Sequence, residues 1–153
     1  AEGMIAPIVK ELFKKLGDVI YGVDGETLES VVAKHLNANN LRLAVIESGL
    51  GGNIFRRISS IIPDNVSGED VAVQLSIETI KTLINEYKDQ ESVDIILGAR
   101  LTLGENKHDL YLLLFYKGEF FEQTRSYGGP SGDAPLWAVN LSLAFIRRKL
   151  MNI

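Results

Sequence analysis

Ser48 is the residue whose type and setting point most directly to chemistry. It lies in the stretch 41–57, LRLAVIESGLGGNIFRR, between an apolar run and a helix opening. Leu41, Leu43, Ala44, Val45 and Ile46 form a run of strand length, suited to burial on both faces of a sheet. Glu47-Ser48-Gly49-Leu50-Gly51-Gly52 breaks that run, and its glycines open backbone angles closed to other residues. From Asn53 the spacing of Ile54, Phe55 and Ile58 is helical. The free N–H groups of that helix are therefore expected to point toward Ser48 or its ligand. A hydroxyl at a strand-to-helix turn is a common place for the chemistry of an α/β protein.

Composition limits what surrounds this turn. At 153 residues, 46% hydrophobic and 24% charged, the chain suits one globular domain with a full core. A net charge of −4 argues against nucleic acid or an anionic membrane as the main partner. The absence of cysteine excludes disulfides, thiol chemistry and Cys-ligated metals, and fits a reducing, cytoplasmic setting. No apolar run approaches the roughly 18 residues of a membrane span, and no signal peptide is visible. The chain opens on Ala1-Glu2-Gly3 rather than Met, so it reads as a piece of something longer.

The elements that must position the turn follow from periodicity. Ile5, Ile8, Val9, Leu12, Phe13 and Leu16 recur at helical spacing, with Gly17 as a stop. A second helix is predicted over 26–39, capped by Thr27 or Asp24, with Leu28, Val31, Val32, His35 and Leu36 on one stripe. A third runs from 52 to about 60, and 61–65 reads as loop or a very short strand because of Pro63. Ser67-Gly68-Glu69-Asp70 reads as the acidic first turn of a helix reaching about Lys88. Strands are expected at 93–98, 110–116 and 120–127, the last two joined by a tight Lys117-Gly118 hairpin. The glycine-rich stretch 127–132 leads to a closing helix over 136–150. The predicted architecture is a single-domain, three-layer α/β/α sandwich on a mixed sheet. Residues 1–40 are its helical lead-in and 41–153 its α/β body.

The order of these signals resembles the C-terminal domain of the competence/damage-inducible protein CinA. The family's Leu-Gly-x-x-Ile-Tyr-Gly and Thr-Leu-Glu are similar to Leu16-Gly17-Asp18-Val19-Ile20-Tyr21-Gly22 and Thr27-Leu28-Glu29. Its Ala-Glu-Ser-Cys-Thr-Gly-Gly signature resembles Ile46-Glu47-Ser48-Gly49-Leu50-Gly51-Gly52. The resemblance implies amide hydrolysis of nicotinamide mononucleotide, with Ser48 as nucleophile. It also implies a nicotinamide nucleotide or other phosphate-bearing small molecule as partner, and a homo-oligomer is expected. No metal and no cofactor is called for.

Departures from the family fall near the proposed chemistry. Gly49 and Leu50 stand where the family has Cys and Thr. The family places a Tyr and, a few residues on, a Lys beside its serine; neither occurs in residues 61–66. The family's Thr-Gly-Ile-Ala-Gly-Pro loop falls at residues 98–104, where Gly98 and Gly104 match and Arg100 is new. Its Arg-x-x-x-Gly ending is loosely similar to Arg125-Ser126-Tyr127-Gly128-Gly129.

Hydrolysing a carboxamide needs a nucleophile, a base and oxyanion donors. Ser48 supplies the first, and N–H groups of Gly49, Gly51, Gly52 and Asn53 supply the last; Gly98, Arg100 and Thr102 complete the expected substrate-binding set. The base is missing from its expected place, and its help is typically worth ~10²–10⁴ in rate. Substitutes are few. His35 reads as a packed core-edge histidine and His108 as solvated loop. Glu47 should point to the other side of the strand, as a helix-cap partner or an ion-pair partner of Arg56. Arg100 and Arg125 could bind a phosphate, though surface pairing is the commoner fate of a lone arginine. Lys81 and Lys88 belong to a solvent-facing helix side.

Other motifs do not fit: the full Gly-x-Gly-x-x-Gly, the P-loop and the Gly-x-Ser-x-Gly elbow are absent. Three readings compete. The chain is an active amidohydrolase, a degenerate relative that keeps a nucleotide pocket, or a structural module of a longer protein. The missing base favours weak or absent hydrolysis.

Overall fold

The computed structural model describes residues 20–21, 26–71, 74–89 and 92–151; the helix expected over 5–16 lies outside them. A short antiparallel pair, β1 (Ile20–Tyr21) and β2 (Glu26–Thr27), leads into α1 (Leu28–Ala38). Thr27 is the cap of α1. The Ser30 N–H donates to the Thr27 hydroxyl at 3.2 Å and the Thr27 N–H to the Ser30 hydroxyl at 3.0 Å, a reciprocal capping box.

The body follows as β3 (Leu43–Ser48), α2 (Asn53–Ser59), a 3₁₀ turn (Pro63–Asn65), β4 (Val66–Val71), α3 (Ile77–Lys88) and β5 (Ile95–Thr102). It closes with β6 (His108–Tyr116), β7 (Glu119–Tyr127), a second 3₁₀ turn (Ser131–Asp133) and α4 (Ala134–Leu150). The five long strands lie in the order β4-β3-β5-β6-β7. β3 is parallel to both β4 and β5, whereas β5, β6 and β7 are antiparallel neighbours. Lys117 and Gly118, at φ 52 and 77, make the tight β6–β7 turn, whose twist requires left-handed backbone.

Helices cover both faces, so the three-layer α/β/α sandwich on a mixed sheet stands. On one face Leu28, Leu36, Ile54, Ile58, Val139 and Phe145, from α1, α2 and α4, pack on Leu43, Val45, Leu97 and Leu112. On the other, Ile80 and Ile84 of α3 pack on Ala44, Ile46, Ile96 and Leu113. Gly98 permits the second layer to close: a Cβ there would lie 2.4 Å from Ile80 Cγ2. Its absence of side chain serves helix packing.

Two expectations need correction. Ser67-Gly68-Glu69-Asp70 is edge strand β4, and the helix begins later, at Ile77, with the Ser76 hydroxyl accepting the Thr79 N–H at 3.0 Å. An acidic turn after glycine mimics a helix start locally, but the parallel ladder with β3 supplies the backbone bonds instead. Gly68 fits there because Phe55 of α2 sits 2.9 Å from where its Cβ would be. Residues 98–102, matched above to a glycine loop, continue β5; loop begins only at Leu103.

Candidate functional site

Ser48 ends β3, as the sequence predicts, but its hydroxyl is fully buried. Strand alternation turns Ala44, Ile46 and Ser48 toward α3 and Leu43, Val45 and Glu47 toward α2. The hydroxyl accepts the N–H of Leu75, in the segment entering α3, at 3.1 Å. Arg100, beside Ser48 in the β3–β5 register, donates from Nη1 to the Leu75 carbonyl at 3.2 Å. Gln74 Nε2 donates to the Thr102 hydroxyl at 3.0 Å. Three residues expected to meet a substrate, Ser48, Arg100 and Thr102, hold residues 74–75 across the strand ends.

The N-terminus of α2 does not face Ser48. Its donors go to Glu47: the Ile54 N–H reaches Oε1 and the Phe55 N–H reaches Oε2, each at 3.0 Å. The cap residue Gly52, at φ 75, brings no side chain to bond the helix, so the preceding strand supplies the carboxylate. Glu47 is 1% exposed. Burial pushes its carboxyl above the ordinary value, an effect only partly offset by the two N–H bonds; nearby Asp70 adds to the rise and Arg56 opposes it.

Between them Gly49, Gly51 and Gly52 all adopt positive φ, at 82, 65 and 75. Gly49 also lies against β5, where a Cβ would stand 2.4 Å from the Leu101 carbonyl oxygen. Leu50 points into the core and is 1% exposed. Asn53 Nδ2 donates to the Leu50 carbonyl at 2.7 Å, and its Oδ1 accepts from Arg56. A cavity of about 230 Å³ opens beside the turn, lined by Glu47, Gly52, Arg56, Glu69 and Asp70 among others. Ser48 does not line it. Three carboxyl side chains against one guanidinium make it a poor receptor for phosphate.

Arg100 also lies over the Tyr111 ring at 5.9 Å, and its Nε is buried without a hydrogen-bond partner. The Tyr111 hydroxyl donates to Glu122, and burial together with that carboxylate raises its pKa. Arg125 is exposed and donates to the Thr124 carbonyl at 3.2 Å. Gly98 pairs with Ile46, two residues before Ser48.

Neither histidine stands at Ser48. His35 pairs with Asn39, the C-terminal cap of its helix, at 3.3 Å. His108 is not solvated loop but the first residue of β6, 2% exposed, bonded to the main chain of Gly104 and Gly129. The sequence hides this because Lys107 and Asp109 on either side look like loop. A further cluster was not anticipated: Arg57 bonds Glu29 at 2.8 and 3.1 Å and Asn140 at 2.8 Å, tying α2 to α1 and α4. Among the described residues no group of three or more His, Asp or Glu is placed to hold a metal.

No family model matches the chain. Individual relatives do. A putative competence-damage inducible protein of Alkaliphilus metalliredigens is 38% identical over 182 positions, covering all of this chain and 44% of the relative. A CinA-like protein of Dictyoglomus thermophilum is 27% identical over the same span, again all of this chain and 44% of the relative. This chain thus spans less than half the length of either relative. The crystal structure of a competence or damage-inducible protein from Enterobacter asburiae superposes with a TM-score of 0.67 at 18% identity, covering 82% of this chain and 99% of that one. At that identity the match speaks for the fold.

Proposed function

This chain belongs to the CinA family of competence/damage-inducible proteins, and from that premise we propose that it is a member whose amide-hydrolysing site is closed. The reaction at issue is attack of the Ser48 hydroxyl on the carboxamide carbon of nicotinamide mononucleotide, with ammonia leaving. One observation carries the proposal: the Ser48 hydroxyl is fully buried and accepts the Leu75 N–H, on the sheet face away from α2.

Each requirement of the chemistry is then compromised. The nucleophile is covered by residues 74–75. The helix that would stabilise an oxyanion has its N–H groups on Glu47. Both histidines are committed elsewhere. What remains is a folded CinA-type domain that works as a cytoplasmic, oligomerising module of a longer protein, with hydrolysis near background.

A second reading, retained binding of a phosphate-bearing nucleotide, has one observation in its favour: the unpartnered Nε of the half-buried Arg100. The test is to incubate the chain with nicotinamide mononucleotide, measuring ammonia, and to record melting temperature with the nucleotide and with inorganic phosphate. Background ammonia without a thermal shift is the expected result. A shift abolished by Arg100→Met establishes the second reading. Turnover lost in Ser48→Ala overturns the proposal.

A further inference from the structure

Both ring nitrogens of His108 are bonded to main chain. Its Nδ1 accepts the Gly104 N–H at 3.2 Å, so that nitrogen carries no proton. Its Nε2 lies 3.1 Å from the Gly129 carbonyl, an acceptor, so that nitrogen must carry one. The arrangement therefore requires the neutral, Nε2-protonated imidazole. A second proton on Nδ1 would set a donor on this buried ring against the Gly104 donor.

The two bonds join separate loops. Gly104 belongs to the β5–β6 loop and Gly129 to the segment between β7 and α4, both at the sheet end where β3 delivers Ser48. The ring lies 6.1 Å from that of Tyr127, which stacks on Trp137 of α4 at 5.0 Å. Gly129 sits against the Tyr127 hydroxyl, 2.3 Å from where a Cβ would stand. Tyr127 thus stands between the imidazole and Trp137, the one tryptophan of the chain.

The charged and titratable groups of the surrounding elements are turned to other partners or to solvent. Lys107 and Asp109 pair at 3.9 Å, Asp109 also accepts from Ser126, and Arg125 bonds the Thr124 carbonyl. Glu105 and Asp133 are exposed, and Tyr127 is half-buried. Both bonds of the imidazole go to main chain.

We infer that His108 is a pH-operated clasp: neutral, it ties the 103–107 and 128–133 loops across the sheet end, and on taking up a second proton it releases the Gly104 loop.

The test uses the whole chain between about pH 8 and 5. Nitrogen-15 shifts of the two imidazoles give tautomer and protonation, hydrogen exchange gives Gly104 protection, and Trp137 emission reports the stack. Expected are the Nε2–H tautomer at the alkaline end, then about a tenfold loss of intrinsic-rate-corrected Gly104 protection and a shift in emission that track His108. His35→Asn leaves that titration unchanged, and His108→Gln removes it. The opposite tautomer, or protonation of His108 without change at Gly104 and Trp137, overturns the inference. These readouts involve no turnover.

Discussion

The Glu47 carboxylate and the Ser48 hydroxyl, on adjacent residues of β3, each accept backbone N–H groups from opposite layers of the sandwich. Glu47 takes those of Ile54 and Phe55 on α2, and Ser48 takes that of Leu75 ahead of α3. Period-two alternation makes this unavoidable once residue 48 is in strand geometry. A serine can meet the next helix only if the strand ends before it. Here the ladder runs on through Ser48, paired with Val71 and Arg100.

Ser48→Ala should therefore behave as a structural substitution. It leaves the buried Leu75 N–H without its 3.1 Å acceptor and lowers stability by about 1–2 kcal/mol. Ammonia release should stay where it was. Urea unfolding checks the first expectation; a loss below a few tenths of a kcal/mol would show the bond to be dispensable.

Much of the fold was legible because burial is periodic. The runs at 43–48 and 110–114 are apolar enough to announce strands, and Lys117-Gly118 announces its turn. β4 was not legible: only Val66 of its residues is buried, so Ser67 to Asp70 carry solvent-facing chemistry that reads as a helix start. The position of Ser48 was legible, its partners were not. They depend on Leu75 and Arg100, residues brought to it by the crossover through α3 and by sheet register, and neither leaves a local signal. Glu47 shows the converse case. Alternation alone placed it opposite Ser48 and suggested a cap, and the geometry of α2 agrees.

Restoring the family's signature should fail. Gly49→Cys puts a Cβ where φ is 82 and where Leu101 oxygen would be 2.4 Å away. Left-handed backbone alone costs a non-glycine residue roughly 1–2 kcal/mol, before any clash. Leu50→Thr removes an apolar side chain that is 1% exposed and buries a hydroxyl. The double variant is expected to melt well below the parent without gaining ammonia release. A stable, active double variant would show that the main chain at the turn adapts.

Arg57→Ala should loosen the helical layer rather than the turn. The side chain joins Glu29 of α1 and Asn140 of α4, and its loss should cost about 1–3 kcal/mol at neutral pH. Burial acts to raise the Glu29 carboxyl, but the Arg57 bond and charge, the residue's own main-chain N–H and the Thr27 hydroxyl together outweigh it and hold the group below its ordinary value of 4.5. A depressed folded value contributes stability above the unfolded value and loses it as pH falls through the folded one. The gap between parent and variant should thus shrink on acidification below about pH 4.5. A gap independent of pH would assign the cost to packing alone.

Glu47→Gln tests the opposite sign in the same molecule. Gln keeps one acceptor and, like a protonated carboxyl, sets a donor against the second helix N–H, so the variant should lie close to the parent below about pH 4.5. Its pH dependence decides which force dominates the carboxyl. Burial raises Glu47 above 4.5 more strongly than the N–H bonds of Phe55 and Ile54 lower it, and Asp70 pushes the same way. A raised folded value contributes stability that is fully present below the unfolded value and is lost as pH rises through the folded one. Glutamine has no such term. The parent should therefore lose stability relative to the variant as pH rises from about 4.5 toward neutrality, read by urea unfolding across that range. If the parent instead gains on the variant with rising pH, the helix N-terminus outweighs desolvation. The buried carboxylate would then be an asset to the fold at every pH where it is charged.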